Sequence, residues 1–194
     1  MIRNEDKKEA ILEAGTEVLY INGYNGTGVK DIVDAAGIPK GSFYNYFNSK
    51  ESFAIEAVQN IAENLLAKAQ NVLLDQNKPP LERLQTFFSQ SAAEARRGGF
   101  KRGCLMGNLC QEMADVNEPI RTEVCKLMGR MTSLIETCLK EAQDNNEISK
   151  DRDIKQMAEF IFNAWEGAIL RMKGVKNKQP LNAFLKELPA LLRA

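Results

Sequence analysis

Residues 27 to 50 restrict the fold more than any other stretch, because they read as two short helices joined by a turn with no slack. Val29 to Ala36 carries Ile32, Val33 and Ala36 on one face at helical spacing. Thr27 stands where a capping hydroxyl accepts from the first free N–H groups. Gly37 comes next and tolerates the positive φ of a sharp helix exit. Ile38 is apolar enough to plug the gap between the helices. Pro39 lies at or just before the second helix, where a missing N–H costs nothing. Phe43 and Phe47 are four apart and are expected to pack on Ile32 and Val33.

These anchors turn a second set of side chains outward. Lys40, Gly41, Ser42, Tyr44, Asn45 and Tyr46 are polar, small or amphipathic. A helix of this width fits the major groove of duplex DNA, with its N-terminal residues toward base edges. Thr27, Lys30 and Lys50 complete the candidate DNA-contact set, and Lys50, opening the next helix, is expected to meet a phosphate. Tyr44 and Tyr46 also fit a reading as core aromatics, but Phe43 and Phe47 already fill those positions.

Gly23-Tyr24-x-x-Thr27, Asp31-Ile32, Ala36 to Phe47 and Ser49-Lys50-Glu51 closely resemble the DNA-binding domain of the TetR (tetracycline repressor) family. The resemblance covers roughly residues 6 to 55. It departs from the pattern at Gly28, which stands where the family usually has a second hydroxyl, so the cap is weaker there. It implies a repressor that binds a palindromic double-stranded DNA operator as a homodimer and is released by a small-molecule inducer.

Net charge is zero, which is not the usual footprint of a DNA binder. Residues 1 to 50 hold six Lys or Arg and seven acids, with Glu5, Asp6, Glu9, Glu13 and Glu17 clustered early. From Ala35 to Lys50 there are two lysines and no acid, so the local sign suits a phosphate backbone. A protomer with no net positive charge argues that useful affinity needs two heads on one duplex.

Beyond the head, the pattern predicts an all-α chain of about nine helices. An N-terminal three-helix domain, residues 1–48, precedes a larger ligand-binding and dimerisation domain, residues 49–194. The first helix, 6–22, has Ile11, Ala14, Val18 and Ile21 as its apolar stripe, widened by Leu12 and Leu19. Ser49 or Asn48 caps a helix from Lys50 to about Asp75, which spans roughly 37 Å and links the head to the larger domain. Helices then cover 81–97, 104–114 and 119–144, the last capped by Asn117. The helix 151–173 is apolar over most of its circumference, with Glu159, Asn163 and Glu166 as its polar stripe, and must be buried on two sides. With the final helix, 180–193, it is the expected homodimer interface, since the resembled family pairs these helices as a four-helix bundle.

Phe87, Phe88, Cys104, Met106, Met113, Met128, Met131, Phe162 and Trp165 form the candidate ligand-binding set. Adaptable apolar linings suit a small-ligand pocket and a plain core equally well, and the family resemblance favours the pocket. Arg96 to Gly103 holds four cations and three glycines in eight residues. Cys104 comes after Lys101 and Arg102 at a helix start, which should lower its pKa below the free value of about 8.5. Gly103 to Leu109, with Lys173 downstream, resembles a subgroup of the family that includes an N-ethylmaleimide-responsive repressor. That likeness implies an electrophile or redox sensor at Cys104, with Lys173 as its partner. A structural cysteine is the alternative.

Several classes are excluded or disfavoured. Histidine is absent, which removes the commonest general base and metal ligand. Cys104, Cys110, Cys125 and Cys138 contain no C-x-x-C pair, so neither a metal site nor a cofactor is expected. A helical enzyme finds no paired catalytic carboxylates or phosphate-cradling loop here. A plain interaction module leaves the outward residues 40–46 unexplained. No apolar run approaches a membrane span and no signal-peptide core opens the chain, so a cytoplasmic protein is expected.

Overall fold

A computed structural model describes residues 4–193 of the chain, with side chains from Lys7 to Leu192. The side chains of Glu5 and Asp6, part of the early acidic cluster, lie outside the described set. Nine α-helices and no strand occur among the described residues: α1 Asn4–Asn22, α2 Val29–Ala35, α3 Lys40–Phe43, α4 Lys50–Leu73, α5 Pro80–Arg97, α6 Leu105–Met113, α7 Glu118–Asp144, α8 Ile154–Val175 and α9 Gln179–Arg193. The architecture is the expected all-α one.

Contacts divide the chain into two compact units. One comprises residues up to Glu63 together with Leu105–Leu127, and the other Asn64–Cys104 together with Met128 onward. Helices α4 and α7 each contribute to both.

In the first unit, α1 buries only part of the expected stripe, keeping Ile11 and Leu19 and leaving Ile21 outside. Ile11, Gly15, Thr16 and Leu19 are buried, whereas Ile21 is 79% exposed. The register is set by Gly15, which in the apolar pattern reads as a gap. A Cβ there would stand 2.5 Å from the Phe53 ring and 2.7 Å from Ile32, so the missing side chain is where those groups seat. Phe43, Phe47 and Phe53 pack as an aromatic triad with ring centroids 5.0–5.9 Å apart.

Helix α2 ends as its sequence dictates. Gly37 takes φ +66°, its N–H bonds to the Asp34 carbonyl, and the Ile38 N–H reaches back to Val33. This is a Schellman closure, which satisfies carbonyls that a helix end leaves free. Ser49 caps α4 by accepting from Ser52 N at 3.0 Å, while the Ser52 hydroxyl receives the Ser49 N–H at 3.0 Å. Asn117 caps α7, accepting from Ile120 N at 2.9 Å.

The second unit is a helical core built on α5, α8, α9 and the neighbouring stretches of α4 and α7. Phe88, Trp165 and Phe184 meet pairwise with centroids 4.9–5.2 Å apart. Arg83 on α5 is fully buried (0% exposed). It donates to the Leu73 carbonyl at 2.8 Å and to Glu141 at 2.5 Å, closing the end of α4 against α7.

Candidate nucleic-acid interface

The reading set is split by the packing of α2 and α3. Phe43 and Phe47 are buried as expected, on a one-turn helix continued by a turn whose Phe47 N–H still bonds to the Phe43 carbonyl at 3.0 Å. Lys40, Gly41 and Asn45 are exposed, Tyr44 is 56% exposed, and Ser42 and Tyr46 are half-buried. Six neighbouring positions therefore offer an ammonium, an amide, three hydroxyls and a bare backbone beyond an aromatic anchor. Lys30 is exposed on α2 and paired with Asp34.

Two of the expected contacts need correcting. Thr27 is 1% exposed, and its hydroxyl donates to the Gly23 carbonyl at 2.6 Å. The cap of α2 falls instead on Gly28, whose N–H is taken by the Asp31 carboxylate at 2.7 Å. A glycine at the cap has no side chain to offer, so the third helical residue supplies the acceptor and Thr27 is released to brace the loop before it. Lys50 does not extend into solvent either. Its ammonium donates to the carbonyls of Tyr24 at 3.0 Å and Thr27 at 2.9 Å and lies 4.2 Å from the centre of the Tyr24 ring. Carbonyls of the loop joining α1 to α2 attract the cation that was expected to meet a phosphate.

The candidate ligand residues also separate. Phe87, Phe88, Met131, Phe162 and Trp165 belong to the core of the second unit, with Met128 packed on it. Met106 and Met113 are buried in the first unit. Cys104, half-buried immediately before α6, donates to the carboxyl of Glu166 on α8. Burial pushes the Glu166 carboxyl above the ordinary glutamate range, and the bond from Cys104 partly offsets this. Glu166 thus leaves the polar stripe expected of this helix. Lys173 is half-buried in the last turn of α8, about two turns beyond Glu166 on the same face. The other thiols differ: Cys125 is exposed, and burial pushes the Cys138 thiol up to about 12.

On the outer side of α8, Phe160 is 58% and Leu170 49% exposed, so this helix is buried on only one side within the protomer. Phe160, Ala164, Gly167 and Arg171 join α9 residues such as Ala183 and Leu191 along an apolar groove of about 700 Å³.

A three-helix head with an aromatic-anchored reading turn, leading into a larger helical domain, defines a helix-turn-helix DNA-binding regulator. The family models agree in both halves. Residues 11–57 match the bacterial regulatory proteins of the tetR family, and residues 80–188 match the tetracyclin repressor-like C-terminal domain. The chain belongs to the TetR family. It is 36% identical over 178 residues to the HTH-type transcriptional repressor DhaR of Mycobacterium sp. (strain GP1), covering 92% of this chain and 88% of that one. The HTH-type transcriptional repressor NemR of Escherichia coli (strain K12) is 25% identical over 96% of this chain and 94% of its own length. Among solved structures, the regulatory protein TetR from Rhodobacter sphaeroides superposes with a TM-score of 0.89 at 34% identity, covering 94% of this chain and 97% of that chain. None of the helices among the described residues is long and apolar enough to cross a membrane.

Proposed function

We propose that this protein is a transcriptional repressor that reads its operator through Lys40, Gly41, Ser42, Tyr44, Asn45 and Tyr46. Lys30 lies at the flank. The observation that carries this assignment is the exposure of Lys40, Tyr44 and Asn45 beyond a buried Phe43–Phe47 pair, in a chain of this family. In a gel shift on DNA upstream of its own coding region, Tyr44→Ala is expected to redistribute sequence preference. Lys40→Ala is expected to do the same and also to lower the salt slope by about one unit if its ammonium touches a phosphate. Wild-type protein that binds such DNA no better than unrelated duplex would overturn the assignment.

The protein acts as a homodimer through α8 and α9, the region expected from residues 151–173 and 180–193. The exposed Phe160 and Leu170 support this, because large apolar groups on an otherwise packed helix ask for a partner. Functionally, residues 1–48 read DNA and 49–194 sense ligand and pair protomers. As a regulator it works in the cytoplasm, with no catalytic role and no cofactor.

Release comes from ligand capture or modification at Cys104. The Glu166 carboxyl beside the thiol and Lys173 two turns away form a polar group against an apolar core, which suits an electrophilic or acidic small molecule. Limiting N-ethylmaleimide on a Cys125→Ser background is expected to label Cys104 first and leave Cys138 untouched, with the gel shift lost in step. Full Cys104 labelling with DNA binding intact would return Cys104 to a structural role.

A further inference from the structure

The loop that joins α1 to α2 is gripped from two sides. Glu112, on α6, accepts the backbone N–H of Tyr24 at 3.2 Å and of Asn25 at 3.0 Å, across 88 and 87 positions of sequence. Its carboxylate lies against Gly23, where a Cβ would stand 2.4 Å from Oε1 and where φ is +73°. Only glycine both adopts that backbone readily and leaves the anion room. From α4, Lys50 holds the carbonyls of Tyr24 and Thr27. An anion on the amides and a cation on the carbonyls thus fix one short loop by charge-assisted bonds, roughly twice as strong as neutral ones. A third tie binds Asn117, the cap of α7, to Glu51 in the first turn of α4 at 2.6 Å. All these residues lie in the same compact unit.

We propose that Glu112 is the coupling residue through which α6 sets the position of the reading helices. Helix α6 has nine residues, starts directly after Cys104 and carries Glu112 one position before its end. A hydrogen-bonded helix shifts or rotates far more readily than it stretches, so a displacement at its first turn arrives at Glu112. While the carboxylate holds Tyr24 and Asn25, the loop and α2 behind it must move with α6. Without it the loop keeps its bonds to Lys50 and moves with α4. This rests on α2 and α3 being the DNA-reading pair.

Hydrogen exchange of the full-length protein, free of DNA, tests the coupling directly. In Glu112→Ala, exchange over residues 23–47 is expected to rise at least about tenfold while residues 105–113 stay protected. Glu112→Gln keeps one acceptor oxygen without the charge and should fall between. Unchanged protection of 23–47 in Glu112→Ala overturns the proposal, as does a rise spread evenly over the whole chain, which marks general loosening. A second arm uses N-ethylmaleimide and DNA upstream of the coding region. Wild-type protein is expected to lose the shift on alkylation, and Glu112→Ala to retain it within about twofold, against the 5- to 150-fold typical of such coupling. Release of Glu112→Ala from DNA by the same factor as wild type also overturns the proposal. A wild-type protein indifferent to alkylation removes Cys104 as the input, and the exchange result alone then decides the role of Glu112.

Discussion

Gly167→Arg is expected to give a folded protomer that neither pairs nor binds operator DNA with useful affinity. Gly167 is exposed on the outer side of α8, and a Cβ built there meets nothing within 4 Å. The first atom of a new side chain therefore meets no obstacle within the protomer, and a partner packed on that face is obstructed. The groove beside it is mostly apolar, with Arg171 and Glu187 its charged members, so a bulky guanidinium pressed into the interface would also have to be desolvated there. A single head on DNA forgoes the effective concentration that links two sites, which commonly multiplies affinity by about 10²–10⁴. Light scattering should show the protomer mass, circular dichroism a retained helical content, and the gel shift a loss in that range. A Gly167→Arg protein that stays dimeric with wild-type DNA affinity would remove α8 from the interface.

The second large effect is on stability. Arg83→Ala is expected to cost about 3–5 kcal/mol, because it strips a fully buried cation from two acceptors. For a chain of this size that is a fall in Tm of about 6–20 °C. Two losses add: the Leu73 carbonyl at the end of α4 goes unpaired, and the space of the side chain is left empty. Glu141 suffers less, since its side chain is 30% exposed and can rehydrate. The pH dependence has a definite sign. The hydrogen bond from Arg83 holds the Glu141 carboxyl below the ordinary glutamate range. The stabilisation is therefore complete above the unfolded value of about 4.3 and is lost as pH falls through the lower folded value. Thermal melts of wild type and variant should differ by a constant amount from about pH 6 to 8, and the gap should narrow without closing in stronger acid, because the Leu73 and packing losses do not titrate. A wild-type-like Tm for Arg83→Ala at pH 7 would show that the buried cation contributes nothing net.

What is legible in the sequence is what neighbours decide. Gly37, Ser49 and Asn117 act on residues one to four positions away, and each does in the structure what its spacing implies. The aromatic anchors Phe43 and Phe47 likewise define their own helical face. The buried face of α1 is only partly legible from periodicity, which finds Ile11 and Leu19 but counts side chains, whereas Gly15 contributes by lacking one. The cap of α2 lies one residue beyond Thr27 because a hydroxyl looks like a cap, whereas Asp31 reaching back to Gly28 supplies the acceptor. Glu112, Arg83 and Glu166 are invisible for a different reason: their side-chain or amide partners Tyr24, Glu141 and Cys104 lie 58 to 88 residues away, where no local rule operates. A glutamate on a short helix reads as solvated surface until the chain is folded. Lys50 has a structural role that the sequence hides, since a cation beside a reading helix suggests DNA more readily than it suggests carbonyls 23 and 26 residues back in the chain.

The compact unit that contains the reader is not continuous in sequence: residues 105–127 belong to it together with the described residues up to 63. Chimeric regulators that exchange only the first 48 residues therefore cut through it. Such a graft brings Tyr24 and Asn25 to a foreign α6 whose residue opposite Gly23 need not be an acid. It also brings a new recognition turn under an inherited Asn117–Glu51 tie. Transplanting specificity between relatives thus calls for two segments, the head and the α6–α7 corner, exchanged together. Natural substitutions at Gly23 and Glu112 are expected to travel as a pair for the same reason.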